Sequence, residues 1–139
     1  MAGIPTEALG LIKKFEEFEK HSYPDPIYGW AVPTIGWGTT IYPNGRKVGI
    51  KDTATMTQAD DYLMHFLEEK ALPQMVKIPS WKIMSDKQKA AIISFAYNNG
   101  PHFYKAEGFK SISRVCDSPD LWGNKDWIIS QFIKYRAGA

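Results

Sequence analysis

The stretch FEEFEKHSYPDPIYGWAVPTIGWGTT, from Phe15 to Thr40, decides the fold expected for this chain. It begins where an apolar helical pattern ends, and it passes through Asp25, which has a proline directly before it and directly after it. It continues into an extended, glycine-punctuated segment that carries Thr34. A helix that leads into a small β element predicts an α+β domain. Within the stretch, two carboxylates, Glu16 and Asp25, occupy unlike local settings.

A helix is predicted over residues 6 to 20. Thr6 is a suitable N-cap, and Glu7 in the first turn complements the helix dipole. The prolines on both sides of Asp25 end any helix before that residue. Apolar residues recur at three- and four-residue steps, as on one face of a helix: Ala8, Leu11, Ile12, Phe15 and Phe18.

Residues 28 to 50 are predicted to form two or three short strands. Aromatic and β-branched residues favour extended chain there, and Gly36 and Gly38 punctuate it. Pro43-Asn44-Gly45 has strong turn chemistry, so a hairpin is expected within residues 39 to 48. A β element this small requires a second lobe to pack against.

From residue 57 onward the pattern predicts helices. Thr57 and Asp60 resemble a capping box, and the helix they begin is expected to run to about residue 71. The run DKQKAAIISFAYN, residues 86 to 98, predicts a central buried helix that stops at Asn99-Gly100-Pro101. Two shorter helices complete the set, near residues 109 to 116 and 125 to 135.

The predicted architecture is one α+β domain over residues 1 to 139. A β lobe of about residues 22 to 52 adjoins a mainly helical lobe, which residues 6 to 20 and 57 to 139 form. A cleft between two such lobes is the usual place for a ligand.

The composition is ordinary for a soluble globular protein, with 44% hydrophobic and 23% charged residues. The net charge of +2 and the absence of a basic run argue against nucleic-acid binding. No apolar run reaches the length of a membrane span, and the start shows no secretory signal, so membrane insertion is not expected. Cys116 is the single cysteine and has no nucleophile motif around it. Neither a metal site nor a cofactor is expected.

Glu16 and Asp25 together fit the chemistry of glycosidic bond cleavage, which needs a protonated acid and a second carboxylate. Burial beside Phe15 and Phe18 is expected to raise the pKa of Glu16, whereas Asp25 in a polar turn is expected to stay ionised. From spacing alone this pair is a hypothesis. An aspartate in a Tyr-Pro-Asp-Pro turn commonly serves the geometry of the turn, and a glutamate at a helix end is commonly solvated.

Three motifs in order resemble the phage-type lysozymes, the endolysin muramidases. The first is LIKKFEEFEKHSYPDPIYGWAVPTIGWGTT, which has the Phe-Glu step, the Tyr-x-Asp turn and the Thr-Ile-Gly-aromatic-Gly strand of that family. The second is MTQADDYLMHFL, and the third is KQKAAIISFAYNNG. Together they cover about residues 9 to 115.

This resemblance implies a lysozyme-like fold in which Glu16 is the general acid. Asp25 and Thr34 would hold the attacking water or stabilise the developing positive charge. The implied reaction is hydrolysis of the bond between N-acetylmuramic acid and N-acetylglucosamine in peptidoglycan, whose glycan strands are the expected partner. Other side chains are candidates for lining the sugar cleft, although packing or helix capping explains each of them equally well: Tyr23, Trp37, Tyr97, Asn98 and Asn99.

The resemblance also implies a biological setting. The protein is expected to be a monomer, made in the cytoplasm of a host bacterium, that reaches the cell wall through a separate pore and causes lysis. Whether the reaction inverts or retains the anomeric configuration depends on the separation of the carboxyl groups, which a sequence does not supply.

Three departures from the family pattern have expected consequences. Glu17 replaces the usual glycine, and its charge is expected to raise the pKa of Glu16 further. Thr39 replaces the histidine of the TIGYGHT motif, which is expected to affect stability more than catalysis. The sequence ends at QFIKYRAGA, where relatives continue into a further helix, so a weaker helical lobe is expected.

Two alternatives remain at this point. A lytic transglycosylase would cut the same bond without water, but Asp25 and Thr34 favour hydrolysis. A degenerate, non-catalytic wall-binding module would fit the short carboxyl end, while the presence of Glu16, Asp25 and Thr34 opposes it.

Overall fold

The computed structural model describes residues 3 to 132, and in this range the chain is α+β. A two-stranded antiparallel sheet adjoins a larger set of helices, which confirms the predicted lysozyme-like combination of a small hairpin lobe and a mainly helical lobe. The regular elements are α1 (Thr6–Phe15), β1 (Glu19–Asp25), β2 (Gly29–Gly36), α2 (Met56–Phe66), α3 (Leu72–Met75), α4 (Asp86–Asn99), α5 (Lys110–Cys116) and α6 (Lys125–Phe132).

Helix α1 ends at Phe15, so the predicted end at residue 20 was wrong. Glu16 has extended backbone angles, φ −97° and ψ 127°, and its N–H closes the helix on the Ile12 carbonyl. The following residues obtain their backbone hydrogen bonds from β2 and from residues 52 to 54, partners that helical periodicity does not reveal. Thr6 is the first helical residue rather than the N-cap, a place that Pro5 takes without a side-chain hydrogen bond.

The hairpin of the sheet lies earlier in the chain than predicted. β1 and β2 pair through Glu19 with Gly36 and Tyr23 with Thr34, and register shifts interrupt the ladder near Asp25. The Pro43-Asn44-Gly45 turn does form, since the Gly45 N–H donates to the Tyr42 carbonyl at 2.9 Å. An isolated bridge flanks this turn in place of paired strands.

Asp52 holds this second turn in place of a strand ladder. Its carboxylate accepts hydrogen bonds from the Tyr42 hydroxyl at 2.6 Å and the Gly49 N–H at 2.8 Å. Arg46 approaches the same oxygen at 3.4 Å and lies over the Tyr42 ring, 4.6 Å from its centroid. Hydrogen bonds from Tyr42 and Gly49 lower the pKa of Asp52. The Asp52 side chain therefore adds to the backbone hydrogen bonds that give residues 42 to 52 their shape.

Helix α2 begins two residues earlier than expected, because its capping box is Thr55 with Gln58. The Gln58 N–H donates to Thr55 Oγ1 at 3.1 Å, and the Thr55 N–H donates to Gln58 Oε1 at 2.9 Å. Asp60, which the sequence assigned to the cap, accepts a hydrogen bond from Trp37 Nε1 at 2.8 Å and pairs with Lys13 Nζ at 2.9 Å. It thus joins α2 to α1 and to the end of β2.

The helical segment that begins with α2 extends beyond its predicted end near residue 71. It passes through a π-helical turn at Leu67–Ala71 and continues as α3. The side chains that face the core remain fully buried through this change of winding, as Leu67, Ala71 and Met75 show. Single π-helical turns within α-helices occur frequently at functional sites.

Helix α4 is the buried centre of the helical lobe, as predicted. Ser85 and Gln88 form its capping box, and Gly100 with φ 97° follows its last residue, Asn99. Its packing partner across the core is α1, which contributes Ala8 and Ile12. The predicted helix near residues 109 to 116 is confirmed by α5, and the predicted helix from residue 125 is present as α6. Residues 133 to 135 of that last prediction lie outside the described range.

The structure also bears on two further features considered from the sequence, the reactivity of Cys116 and insertion into a membrane. Cys116 is fully buried, and burial raises the pKa of its thiol to about 12, which keeps it protonated and unreactive at neutral pH. In the part of the chain from residue 3 to residue 132, no helix has both the length and the apolar character needed to cross a bilayer.

Candidate active site

A cleft of about 560 Å³ lies where the two lobes meet. The segment after β2 forms one wall, and α2 with its π-helical turn forms another. Helix α4 closes one end with Tyr97 and Asn98, and two acidic side chains, Glu16 and Asp25, face the same space. A concave site with a few convergent polar groups is the usual form of a ligand-binding site.

Glu16 enters the cleft from the end of α1. Its side chain is half-buried, and burial raises the pKa of its carboxyl group. The carboxyl oxygen Oε1 lies so close to Gly38 that a Cβ atom at that position would overlap it. A carboxyl group shielded in this way holds its proton to a higher pH than a solvated one, which suits a general acid.

The source of this burial differs from the expected one. Phe15 is 66% exposed, while Phe18 packs on Trp37 with ring centroids 5.5 Å apart. Glu17 is exposed, and burial, not the charge of Glu17, accounts for the raised pKa of Glu16. The glycine-punctuated segment after β2 provides the close contact instead, through Gly38.

Asp25 has a turn role and also faces the cleft. Its Oδ2 atom accepts hydrogen bonds from the N–H groups of Ile27 at 2.8 Å and Tyr28 at 2.9 Å. Its Oδ1 atom has no hydrogen-bond donor among residues 3 to 132. One oxygen therefore fixes the turn, as the simpler interpretation predicted, and the other is available to a ligand.

Thr34 is not brought into the cleft. It is 4% exposed, and its hydroxyl donates to the Val32 carbonyl at 3.1 Å within the same strand. The threonines that line the cleft are Thr39 and Thr40, from the segment after β2. Thr39 forms a hydrogen bond with the hydroxyl of Tyr97.

The five predicted sugar-cleft residues divide into two groups. Tyr97 and Asn98 line the cleft, whereas Tyr23, Trp37 and Asn99 do not. Trp37 is only 8% exposed and packs in the core, and the Asn99 side chain donates to the Phe95 carbonyl at 3.2 Å, as a helix-end contact. Tyr23 is nevertheless near the acidic pair. Burial, followed by the charges of Glu16, Glu19 and Asp25, raises its pKa to about 12.

Sequence reasoning missed the wall of the cleft that α2 supplies. Tyr62, Phe66 and Lys70 recur there at steps of four residues, next to His65. Tyr62 meets Tyr42 edge-on at 5.1 Å, and Phe66 meets Tyr97 at 5.4 Å. His65 and Lys70, beside these rings, were the signal in the sequence that this face of the helix is open to solvent.

The ionisable side chains of the cleft are divided between its walls. Glu16 and Asp25 belong to the side built by α1 and β1, whereas His65 and Lys70 belong to the helical wall. Between residues 3 and 132, no three His, Cys, Asp or Glu side chains are grouped so that they could hold a metal ion.

Comparisons with known proteins identify the fold and the family of this chain. The endolysin from Escherichia coli O157:H7 phage FAHEc1 has a similar structure, with a TM-score of 0.61 and 22% sequence identity over 95% of this chain and 75% of that one. At this identity the likeness concerns the fold. A comparison with curated proteins gives no match. The family model for phage lysozyme matches residues 13–121, which is most of the sequence. The chain therefore belongs to the phage lysozyme family.

Proposed function

We propose that this protein is an endolysin-type muramidase that hydrolyses the β-1,4 bond between N-acetylmuramic acid and N-acetylglucosamine in peptidoglycan. The observation that carries the proposal is that Glu16, whose burial raises its pKa, and Asp25, which keeps one oxygen without a protein donor, face one cleft. Membership of the phage lysozyme family supports it. The protein acts as a monomer on the wall, after release from the host cytoplasm through a separate pore.

The two carboxyl groups divide the reaction between them. Glu16 gives its proton to the glycosidic oxygen as the bond from that oxygen to the sugar carbon breaks. The Asp25 carboxylate stabilises the positive charge that develops at the carbon or orients the water that attacks it. Water adds to the carbon and loses a proton, which returns to the Glu16 carboxylate through the solvent, and the product carries a new reducing end.

We propose that Thr34 is a second residue that holds the attacking water. Its hydroxyl is engaged with the Val32 carbonyl, so this role requires rotation of the side chain about its Cα–Cβ bond when substrate is bound. Thr39 and Thr40 already line the cleft and offer hydroxyl groups without such a change.

Asp25→Asn tests the role of the second carboxylate. The amide oxygen retains an acceptor for the N–H groups of Ile27 and Tyr28, so the turn is kept and the melting temperature should change little. Loss of the charge should lower the rate about 10²-fold, a typical effect of removing one electrostatic stabiliser. The measurement is the release of reducing ends from purified peptidoglycan. Asp61→Asn, at an exposed position of α2 outside the cleft, is the matched control and should keep full activity. Equal rates for the two variants would remove Asp25 from the mechanism.

The products distinguish hydrolysis from the alternatives. Digestion in water enriched in heavy oxygen should place the label at the new reducing ends of the glycan, as mass spectrometry can detect. Anhydro-muramic ends without the label would identify a lytic transglycosylase instead. Binding to peptidoglycan with no new ends of either kind would identify a wall-binding module.

A further inference from the structure

Tyr97 connects the two lobes at a point beside Glu16. It lies near the end of α4, sixty residues from Trp37 in sequence, and its hydroxyl donates to the Trp37 backbone carbonyl at 2.5 Å. Its ring meets Phe66 edge-on, with an interplanar angle of 86°. The ring is thus fixed by packing, while the hydroxyl makes a separate contact with the segment after β2.

The same hydroxyl and the carboxyl group of Glu16 approach Gly38 together. A Cβ atom built on Gly38 would stand 3.3 Å from the Tyr97 hydroxyl and would overlap Glu16 Oε1. Thr39, the next residue, forms a hydrogen bond with the Tyr97 hydroxyl. Tyr97 therefore contacts the segment on both sides of Gly38, the residue that the Glu16 carboxyl group approaches.

We propose that Tyr97 is a positioning residue for Glu16: its hydroxyl holds the Trp37 to Thr39 segment against the Glu16 carboxyl group and keeps water away from it. The catalytic consequence rests on the proposed function, whereas the positioning itself is a property of the folded chain. The hydroxyl is not needed to fill space, since the ring does that. Its contribution is to fix the segment that shields the acid.

The surroundings of Glu16 define what else could affect its titration. Tyr97 faces it from α4, and Tyr23 and Asp25 are the titratable neighbours on β1. His65 and Lys70 face the same cleft from the helical wall. A change confined to the Tyr97 hydroxyl leaves all of these charges in place, so a change in the titration of Glu16 reports on its shielding.

Tyr97→Phe in the full chain is the test, because it keeps the ring and removes only the hydroxyl. Carboxyl-carbon NMR should follow the titration of Glu16, with its resonance assigned by comparison with Glu16→Gln. We expect the pKa of Glu16 to fall by roughly one pH unit, since water then reaches the carboxyl group. The general acid must be protonated, so the alkaline limb of the pH–activity profile should move to lower pH. Above both pKa values, the rate should fall about tenfold for each such unit, with KM little changed.

Tyr104→Phe is the matched control. The Tyr104 hydroxyl donates to Asp117 at 2.5 Å, and this residue does not line the cleft. The two variants lose comparable hydrogen bonds, but the control should leave the titration of Glu16 unchanged. An unchanged Glu16 titration in folded Tyr97→Phe, or an equal change in both variants, would overturn the proposal.

A second variant tests the proposal if Tyr97→Phe does not fold. Thr39→Val keeps the shape of the side chain and removes its hydrogen bond to Tyr97. It should move the pKa of Glu16 in the same direction by a smaller amount, and no movement would also overturn the proposal. If Glu16 titrates as expected in every variant and none of them, including the wild type, cleaves peptidoglycan, the positioning role stands and the proposed function fails.

Discussion

Replacement of Glu16 by glutamine is expected to abolish clearing of permeabilised bacteria and to lower the rate of glycan cleavage by about 10²- to 10⁴-fold, the usual contribution of a general acid. Glutamine has nearly the same size as glutamate, so it retains the contact with Gly38, but it has no proton of suitable acidity to give. The melting temperature should not fall, because a half-buried carboxyl group is replaced by a neutral group. Turbidity and the release of reducing ends measure the effect.

Glu17→Gln is the control for this substitution. Glu17 is the adjacent residue, and its exposed side chain lies outside the cleft lining. This variant should clear bacteria at close to the wild-type rate. Clearing by Glu16→Gln at the wild-type rate would refute the assignment of the acid, and a loss confined to Glu17→Gln would transfer the role to Glu17.

The position of Glu16 could be predicted from the sequence, but the origin of its shielding could not. Helical periodicity placed Glu16 at the end of an amphipathic segment, and the two prolines around Asp25 required a turn there. The residues predicted to bury Glu16, Phe15 and Phe18, are close to it in sequence, and Phe15 is exposed in the structure. The group that contacts Glu16, Gly38, lies on the segment after β2, and only the pairing of β1 with β2 brings it near.

The partners of Asp60, in the helical lobe, likewise could not be predicted from the sequence. A local rule gave it a capping role, whereas its partners are Lys13 and Trp37, on α1 and just after β2. A local sequence pattern does not reveal hydrogen bonds between a charged side chain and residues that are distant from it in sequence. The helices themselves were predictable because their periodicity is local, and Gly100 ends α4 as predicted, whereas the N-caps of α1 and α2 were assigned to the wrong residues.

Gly38→Ala is expected to lose activity out of proportion to its loss of stability. With φ 96°, the backbone at this position is one that residues with a Cβ atom adopt at a cost of about 1–3 kcal/mol. The added Cβ atom would also overlap Glu16 Oε1, which is the far end of a flexible side chain. Rotation of Glu16 relieves the overlap with little further cost in stability. It removes the acid from its position, however, and a displacement of this kind can lower the rate about 10²-fold.

Gly108→Ala separates the two effects. Gly108 has φ 85°, and no atom lies within 4 Å of the place where its Cβ would stand, so it shares the backbone cost without the contact. Thermal melting should therefore show similar losses for the two variants, while peptidoglycan cleavage falls only in Gly38→Ala. Activity that falls equally in both would attribute the loss to instability. Full activity in Gly38→Ala would show that the carboxyl group of Glu16 need not stand against this glycine, and the shielding of the acid would then have to come from another part of the cleft.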